Sequence, residues 1–180
     1  EIKRNQDVLV PAINSFSASI IYVVGYNSII PVSYYTNKNF INVHPSLLPK
    51  YRGLHSTVWA ILNGEKKLGY TIHLINEYLD DGDIIYQFEI DNDDKTTAHG
   101  YFHLFNSDLE KVIGRITTKY IKGVLKPKPQ NKSNATWVGK RSYNDCNIDF
   151  STELIDIKRL FRVLTAPYPL PFFTKNNEIY

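Results

Sequence analysis

The sequence predicts an α/β domain with a mostly parallel sheet, followed by a smaller C-terminal extension. Segments with strand-like and helix-like patterns alternate through most of the chain, which is typical of α/β architecture. The first of these segments, the apolar run at 18–26, is continuous and β-branched, and it suits a strand buried on both faces. The chain has 180 residues, 43% of them hydrophobic, which is enough for one sizeable core.

The next two elements follow from local patterns. The segment FINVH at 40–44 predicts a short second strand. The segment at 56–66 has apolar residues at helical spacing, with Ser56 or Thr57 as N-cap and Gly64 near its end. We therefore expect a strand and then a helix.

Two strands and a long helix follow. The segments at 69–75 and 83–90 alternate between apolar and polar residues and predict strands, with a turn at Asp81-Gly82 between them. The segment at 98–123 carries apolar residues every three or four positions, which predicts a long helix closed by a glycine.

The polar, proline-containing stretch at 125–136 predicts a linker that ends the compact unit. We therefore place a domain boundary between residues 1–124 and 125–180. The second part contains a predicted helix that starts near Ser151 and the aromatic segment PYPLPFF. No internal repeat is visible in either part.

Composition limits the classes of partner. The 21 Lys and Arg residues exceed the 18 Asp and Glu residues, so the net charge is +3. This mild excess suits an anionic small ligand but lacks the dense clustering of a nucleic-acid binder, so we expect no nucleic-acid partner. No apolar run reaches membrane-spanning length and no secretory signal opens the chain, so we expect no membrane partner. The single cysteine, Cys146, excludes an internal disulfide and favours a reducing, cytoplasmic location.

The start of the chain is unusual. It begins at Glu1, contains no Met, and has only a short segment before the first predicted strand. We therefore expect the sequence to be incomplete at its N-terminus, either because it is a fragment or because methionines have been omitted.

Chemistry is concentrated at the end of the second predicted strand. Asn42 and His44 are two residues apart there, so their side chains share one face of the strand. An acidic turn at 77–84 follows the strand at 69–75, and ligands of open α/β sheets bind beyond the carboxyl ends of strands. An amide, an imidazole and a carboxylate can together stabilise an oxyanion and relay a proton. The same residues also fit a polar strand end and a solvated or cation-binding turn.

Three motifs carry a family resemblance. The segments NVHPSLLPKYRG, WAILNGEKKLGYTIHLI and LDDGDII, in that order, resemble the formyltransferases that use N10-formyltetrahydrofolate. That family includes glycinamide ribonucleotide formyltransferase, methionyl-tRNA formyltransferase and the sugar N-formyltransferases. The resemblance implies a Rossmann-like formyltransferase core with Asn42, His44 and Asp80 as catalytic residues. Asp80 is the match because it stands two residues before Gly82.

The resemblance also implies a mechanism without a covalent enzyme intermediate. A substrate amine would attack the formyl carbon, Asn42 and protonated His44 would donate to the oxyanion, and Asp80 would hold His44 and help shuttle protons. No metal is needed, so we expect none. The expected N10-formyltetrahydrofolate contacts are Gly25, Tyr26, Ile30, Asn76, Leu79 and Gly82.

For the amine substrate, the segments GLHSTVWAI, GYTIHLI and RVLTAPYPLPFF look most like the sugar enzymes. These act on nucleotide-linked, often dTDP-linked, amino-dideoxy sugars for bacterial surface polysaccharides such as O-antigen. We therefore expect a dTDP-linked amino sugar as partner and, by resemblance alone, a homodimer through the C-terminal region. Aromatic residues would hold the base and basic residues the diphosphate; the candidates are Lys50, Arg52, Trp137, Lys140, Arg141, Tyr143 and Tyr168.

Several alternatives stay open. Methionyl-tRNA and glycinamide ribonucleotide are other amine substrates, although the enzymes for methionyl-tRNA carry a larger basic C-terminal domain. A 10-formyltetrahydrofolate hydrolase and a non-catalytic domain that binds folate or nucleotide sugar are further possibilities. His73 fits a partner of the site and a polar core position equally, whereas His55 is a weaker candidate. Asp81 and Asp83 are expected to be turn residues.

Overall fold

The structure is a computed structural model that describes residues 13, 15, 17–26, 28, 30, 31, 38–166, 168–176 and 178–180. Its strands are β1 (Ile20–Val24), β2 (Asn39–His44), β3 (Arg52–Gly53), β4 (Lys67–Leu74), β5 (Ile84–Asp91), β6 (Trp137–Val138), β7 (Thr174–Lys175) and β8 (Glu178–Ile179). Its α-helices are α1 (Ser56–Leu62), α2 (Ala98–Ile121) and α3 (Leu154–Val163). Short 3-10 helices lie at Lys132–Asn134 and Tyr143–Cys146.

The main sheet has four described strands in the order β1-β2-β4-β5. β1 and β2 run parallel, whereas the β2–β4 and β4–β5 pairs are antiparallel. The expected α/β class is confirmed, and the described part of the sheet is mixed because β4 runs opposite to its neighbours β2 and β5. In the β2–β4 pair Asn42 lies opposite His73, and this register brings two predicted polar residues together.

Both faces of β1 pack against apolar side chains. Ile20 and Tyr22 contact the main core, which also contains Ile41, Ile61 and Ile72. The alternate residues of the strand contact a smaller cluster built from Ile13, Ile30 and Phe40. The alternation of side chains along a strand explains how one apolar run serves two clusters.

The first and third helices differ from prediction: α1 begins at Ser56 as predicted but ends at Leu62, four residues before the end of the predicted segment. The N-cap of α1 is His55, with a left-handed φ of +60°, rather than Ser56 or Thr57. The hydroxyls of Ser56 and Thr57 instead donate to the Pro45 carbonyl, which ties the helix start to the loop after β2. The third helix, α3, begins at Leu154 rather than near Ser151.

The long helix α2 has the expected bounds. The Thr97 hydroxyl accepts the Gly100 N–H at its start, and Gly123 adopts a φ of +68° just beyond its end. Among the described helices, none is both long and apolar enough to cross a membrane.

The polar stretch at 125–136 packs on the core. The backbone of Lys128 pairs with that of Ile84, and buried Gln130 donates to the carbonyl oxygens of Asp80 and Gly82. β6 then pairs in parallel with β3. Residues beyond 124 therefore form part of the structure around the acidic turn, while the domain boundary placed there stays a prediction.

Candidate active site

The end of β2 and the turn after β4 bring the three predicted catalytic side chains together. The Asn42 amide nitrogen, Nδ2, lies 3.3 Å from Asp80 Oδ1. His44 Nδ1 lies 3.6 Å from Asp80 Oδ2, and both side chains are largely buried. The amide, the imidazole and the carboxylate therefore form one cluster.

Asp80 is held by backbone groups that the sequence analysis did not identify. The Gly53 N–H donates to Asp80 Oδ2 at 2.8 Å. Gly53 has a φ of +103°, and a Cβ there would lie 2.3 Å from the Val138 carbonyl oxygen. Only glycine fits this position, because β3 contacts β6 closely here. The backbone N–H of the same residue also binds the Asp80 carboxylate. The signal was present in the sequence as the RG pair that ends the first family motif.

His73 fixes the orientation of the Asn42 amide. Its Nδ1 donates to the Leu74 carbonyl at 2.7 Å, so in the neutral ring Nε2 carries no proton and accepts from Asn42 Nδ2 at 3.2 Å. The two amide hydrogens of Asn42 are thus directed to His73 and Asp80. Of the two interpretations of His73, the structure favours a partner of the site.

His44 is neutral in this arrangement. Burial lowers its pKa below the ordinary 6.5, although the Asp80 carboxylate and the Tyr51 carbonyl act in the opposite direction. The His44 Nε2–H donates to the Tyr51 carbonyl at 2.8 Å, which leaves Nδ1 facing Asp80. We expected a protonated His44 and a free Asn42 amide as oxyanion donors, but both groups are bound to protein. Donation to an oxyanion requires them to exchange partners when substrate binds.

Asp80 is ionised beside this neutral imidazole. Burial alone would raise its pKa, but the neighbouring His73 and His44 rings and the Gly53 N–H together outweigh burial and lower the pKa. A proton arriving at His44 Nδ1 would therefore be held next to a carboxylate. Among the described residues, no group of three or more His, Cys, Asp or Glu side chains forms a metal site.

A cavity of about 520 Å³ opens beside the cluster. Its apolar lining includes Val23, Ile30 and Ile75, and residues 77–80 of the acidic turn also line it. Such a lining suits a flat ring with polar edges. Five of the six expected folate contacts line it, namely Gly25, Tyr26, Ile30, Asn76 and Leu79.

The sixth expected contact, Gly82, has a different role. It does not line the cavity, and a Cβ on it would lie 1.8 Å from the Leu74 carbonyl oxygen. Its own carbonyl accepts from Gln130 Nε2. The glycine is needed for close packing of the turn against β4 rather than for ligand approach.

Arg52 is not available for a diphosphate. Its guanidinium is buried and lies 2.7 Å from Asp81 Oδ1 and 2.7 Å from Gln130 Oε1, beneath the exposed ring of Trp137. Asp81 is accordingly a buried ion-pair partner and not a solvated turn residue. The expected phosphate contact is corrected to an anchor for the acidic turn.

Of the other expected substrate contacts, all except Lys140 lie outside the cavity lining. Lys50 forms an ion pair with Glu65, and Tyr143 stacks on Phe172 at a ring distance of 4.5 Å. Tyr168 lies behind His55, with ring centres 6.5 Å apart. The residues that do line this side are Leu54, His55, Val138, Gly139 and Lys140. Of the basic candidates, the structure therefore brings Lys140 to the cavity.

An α/β sheet with an amide, an imidazole and a carboxylate clustered at one cavity is the arrangement implied by the formyltransferase resemblance. The sequence matches the family model described as formyl transferase over residues 3–110. The chain therefore belongs to the formyl transferase family.

Similar proteins agree on the family and differ in their named substrates. The chain is 37% identical over 173 residues to a methionyl-tRNA formyltransferase of Alkaliphilus oremlandii, covering 93% of this chain and 54% of the relative. It is 33% identical to that of Clostridioides difficile, covering 99% and 58%. The chain thus spans about half the length of the curated relatives it matches.

The fold is shared with solved structures of several named proteins, among them a methionyl-tRNA formyltransferase from Clostridium thermocellum with a TM-score of 0.70 and 22% identity, covering 88% of this chain and 68% of that protein. A sugar N-formyltransferase from Shewanella matches with a TM-score of 0.80 and 20% identity, covering 98% of this chain and 72% of that protein. HypX from Aquifex aeolicus, in complex with tetrahydrofolic acid, matches with a TM-score of 0.82 and 18% identity, covering 96% and 30%. At these identities the similarity is one of fold.

Proposed function

We propose that the protein transfers a formyl group from N10-formyltetrahydrofolate to the primary amine of a nucleotide-linked, dTDP-type amino-dideoxy sugar. One observation carries the chemistry: Asn42, His44 and Asp80 meet at one cavity, and Asp80 is oriented there by the Gly53 N–H. Family membership supports the same reaction.

The cavity offers a place for the folate. Ile30 and its neighbours provide an apolar surface, and the turn from Asn76 to Leu79 provides backbone groups for the edge of the ring. When bound, the folate supplies the activated formyl group. HypX, which shares this fold, has been solved in complex with tetrahydrofolic acid, and this supports a folate as the formyl donor.

His44 and Asp80 manage the proton of the attacking amine. The neutral His44 Nδ1 accepts that proton, and the resulting imidazolium is stabilised by the carboxylate 3.6 Å away. The same proton then passes to the departing folate nitrogen, so His44 is again neutral and Asp80 is again ionised at the end of the reaction. Negative charge that develops on the formyl oxygen is stabilised by the Asn42 amide once it leaves Asp80. A single donor of this kind is typically worth about 10²–10³ in rate.

A nucleotide-linked amino sugar is the amine substrate that we favour. The segment GLHSTVWAI supports it by resemblance, and its Leu54 and His55 line the cavity. The C-terminal segment adds Lys140 to the same wall. The Shewanella sugar N-formyltransferase shares this fold over nearly the whole chain.

Methionyl-tRNA is the second candidate, because curated relatives at up to 37% identity carry that activity in their names. Those relatives are longer than this chain, so the comparison does not reach their remaining parts.

The test uses the full-length protein with N10-formyltetrahydrofolate and four acceptors: a dTDP-4-amino sugar, a dTDP-3-amino sugar, methionyl-tRNA and glycinamide ribonucleotide. We expect one formyl mass to be added to a dTDP-sugar, and His44→Ala to abolish the gain while tetrahydrofolate still binds. Formylation of methionyl-tRNA alone would replace the sugar with the second candidate. Formyl loss without an acquired mass would indicate a hydrolase, and no turnover would refute the proposal.

A further inference from the structure

His55 is the third histidine at the cavity, and the proposed chemistry does not use it. It lines the cavity together with Leu54 and Val138–Lys140, a group of residues separate in sequence from the apolar lining of Val23, Ile30 and Ile75. Its backbone adopts a φ of +60°, which is uncommon for a residue with a side chain. Strained positions of this kind are concentrated at functional sites.

The contacts of the ring determine where its proton is. The Arg141 backbone N–H donates to His55 Nδ1 at 3.3 Å, so Nδ1 is an acceptor and the neutral ring carries its hydrogen on Nε2. Burial, together with the charges of Arg141 and Lys140, lowers the pKa of His55, which keeps the ring neutral at pH 7. In this tautomer Nε2 is a hydrogen-bond donor and cannot act as a base.

The segment 138–141 beside His55 is held in place by Trp59 of helix α1. The Trp59 indole N–H donates to the Gly139 carbonyl at 2.9 Å, and the Arg141 guanidinium lies 5.9 Å from the centre of the Trp59 ring. The Tyr168 ring packs edge-on against His55. The imidazole is therefore positioned by two elements rather than resting free at the surface.

Lys140 supplies positive charge beside His55. Among the described residues it forms no ion pair with a carboxylate, whereas Lys50 and Arg52 do. The Arg141 guanidinium instead donates to the Asp145 carbonyl, and hydrogen bonds from Ser142 together with the Arg141 charge lower the pKa of the Asp145 carboxyl. A neutral donor next to an unpaired cation at a cavity favours an anionic oxygen ligand.

We propose that His55 is a binding residue for the amine substrate and donates its Nε2–H to a phosphate oxygen that Lys140 also attracts. This inference rests on the proposed function and adds to it, since it assigns a phosphate of the amine substrate to the part of the cavity lining that His55 and Lys140 form. Both a nucleotide diphosphate and the phosphodiester of a tRNA acceptor end would present this chemistry.

The experiment uses the full-length protein and two ligands. Inorganic pyrophosphate is the probe for the proposed phosphate site at His55, and tetrahydrofolate is the independent probe for the proposed folate site. Dissociation constants for both are measured by calorimetry in wild type, His55→Ala, His55→Gln and Lys140→Ala. His99→Ala is the matched control, because His99 is exposed on α2 outside the cavity lining. The KM of the amine substrate is then measured with a dTDP-amino sugar and with methionyl-tRNA, which separates the two phosphate sources.

We expect His55→Ala to weaken pyrophosphate binding and to raise the KM of the amine substrate about tenfold, as loss of one hydrogen bond to a charged group predicts. The kcat and the tetrahydrofolate affinity should stay within twofold, and His55→Gln should recover most of the loss because its amide supplies a donor. Tetrahydrofolate affinity also reports that each variant is folded.

Two kinds of failure are distinguishable. If wild type binds tetrahydrofolate and His55→Ala binds pyrophosphate as well as wild type does, the assignment of His55 is wrong and the proposed function stands. The assignment is also wrong if the variant lowers kcat without changing the KM of the amine substrate. If wild type binds no tetrahydrofolate, the proposed function itself fails.

Discussion

Replacing Asp80 with Asn tests whether its charge or only its shape serves the site. The amide keeps an oxygen that can accept the Gly53 N–H, so the turn should retain its conformation. It removes the negative charge 3.6 Å from His44 Nδ1. We therefore expect a folded protein with impaired transfer.

The magnitude follows from that distance. A pair of unit charges about 3.6 Å apart, at an effective dielectric constant of about 20, interacts with roughly 4–5 kcal/mol. That stabilisation acts when His44 is protonated during the reaction, so its loss predicts a decrease in kcat of roughly 10³-fold. Because the carboxylate raises the pKa of His44 against burial, the variant should also lower that pKa further below 6.5.

The assay is formyl transfer under saturating conditions, with the His44 imidazole followed by NMR titration. Asp83→Asn is the matched control, since Asp83 belongs to the same turn but does not line the cavity. A kcat for Asp80→Asn within tenfold of wild type would refute the electrostatic role. An equal decrease in the control would show that the effect comes from the turn and not from this carboxylate.

Three further results are expected. The pKa of His44 in the folded protein lies below the ordinary 6.5, so the folded state favours the neutral ring. The free energy of unfolding should therefore decrease as the pH falls below about 6.5 toward the folded-state pKa. Urea midpoints measured across this pH range should show the decrease, and it should be smaller in His44→Gln. Gly53→Ala should lower the free energy of unfolding by about 3 kcal/mol and Tm by roughly 6–12 °C. The reason is that the new Cβ would lie 2.3 Å from a backbone oxygen, at a φ of +103°. Gly114→Ala is the control and should not lower Tm, because a Cβ there would meet no atom outside its own stretch of helix within 4 Å. Arg162→Met should cost about 1–2 kcal/mol in a denaturation curve, because the partly buried Thr96 carbonyl and Asn92 side-chain oxygen lose the donor that the buried guanidinium supplies, and an unchanged midpoint would contradict this.

The elements that sequence analysis predicted well depend on local patterns. The apolar run of β1 and the periodicity of α2 reflect which residues face a core, and this information lies within each segment. The predicted catalytic residues Asn42, His44 and Asp80 could be located because the family motifs keep them in a recognisable order. The register of β2 on β4 then supplies the geometry.

The roles that were missed or misassigned depend on partners distant in sequence. Lys50 and Arg52 were chosen as phosphate contacts by charge, but a sequence does not reveal that Glu65 and Asp81 already neutralise them. A buried cation whose partner is a buried carboxylate is a structural unit, and removing one member leaves the other uncompensated. Gln130 was assigned to a linker for the same reason, because its acceptors belong to the acidic turn.

The acidic turn shows how neighbouring residues of one type acquire different roles. Asp80 adopts a left-handed φ of +49°, and its carboxylate meets Gly53 and His44, whereas the next carboxylate, that of Asp81, meets Arg52. Arg52 and Gly53 are adjacent in β3, so one short strand holds both carboxylates of the turn. Because β3 pairs with β6, the position of Asp80 depends on the C-terminal segment that also carries the cavity wall. Movement of that segment on substrate binding would therefore move the Asp80 carboxylate beside His44. This is a physical route by which binding of the amine substrate would release the Asn42 amide from Asp80.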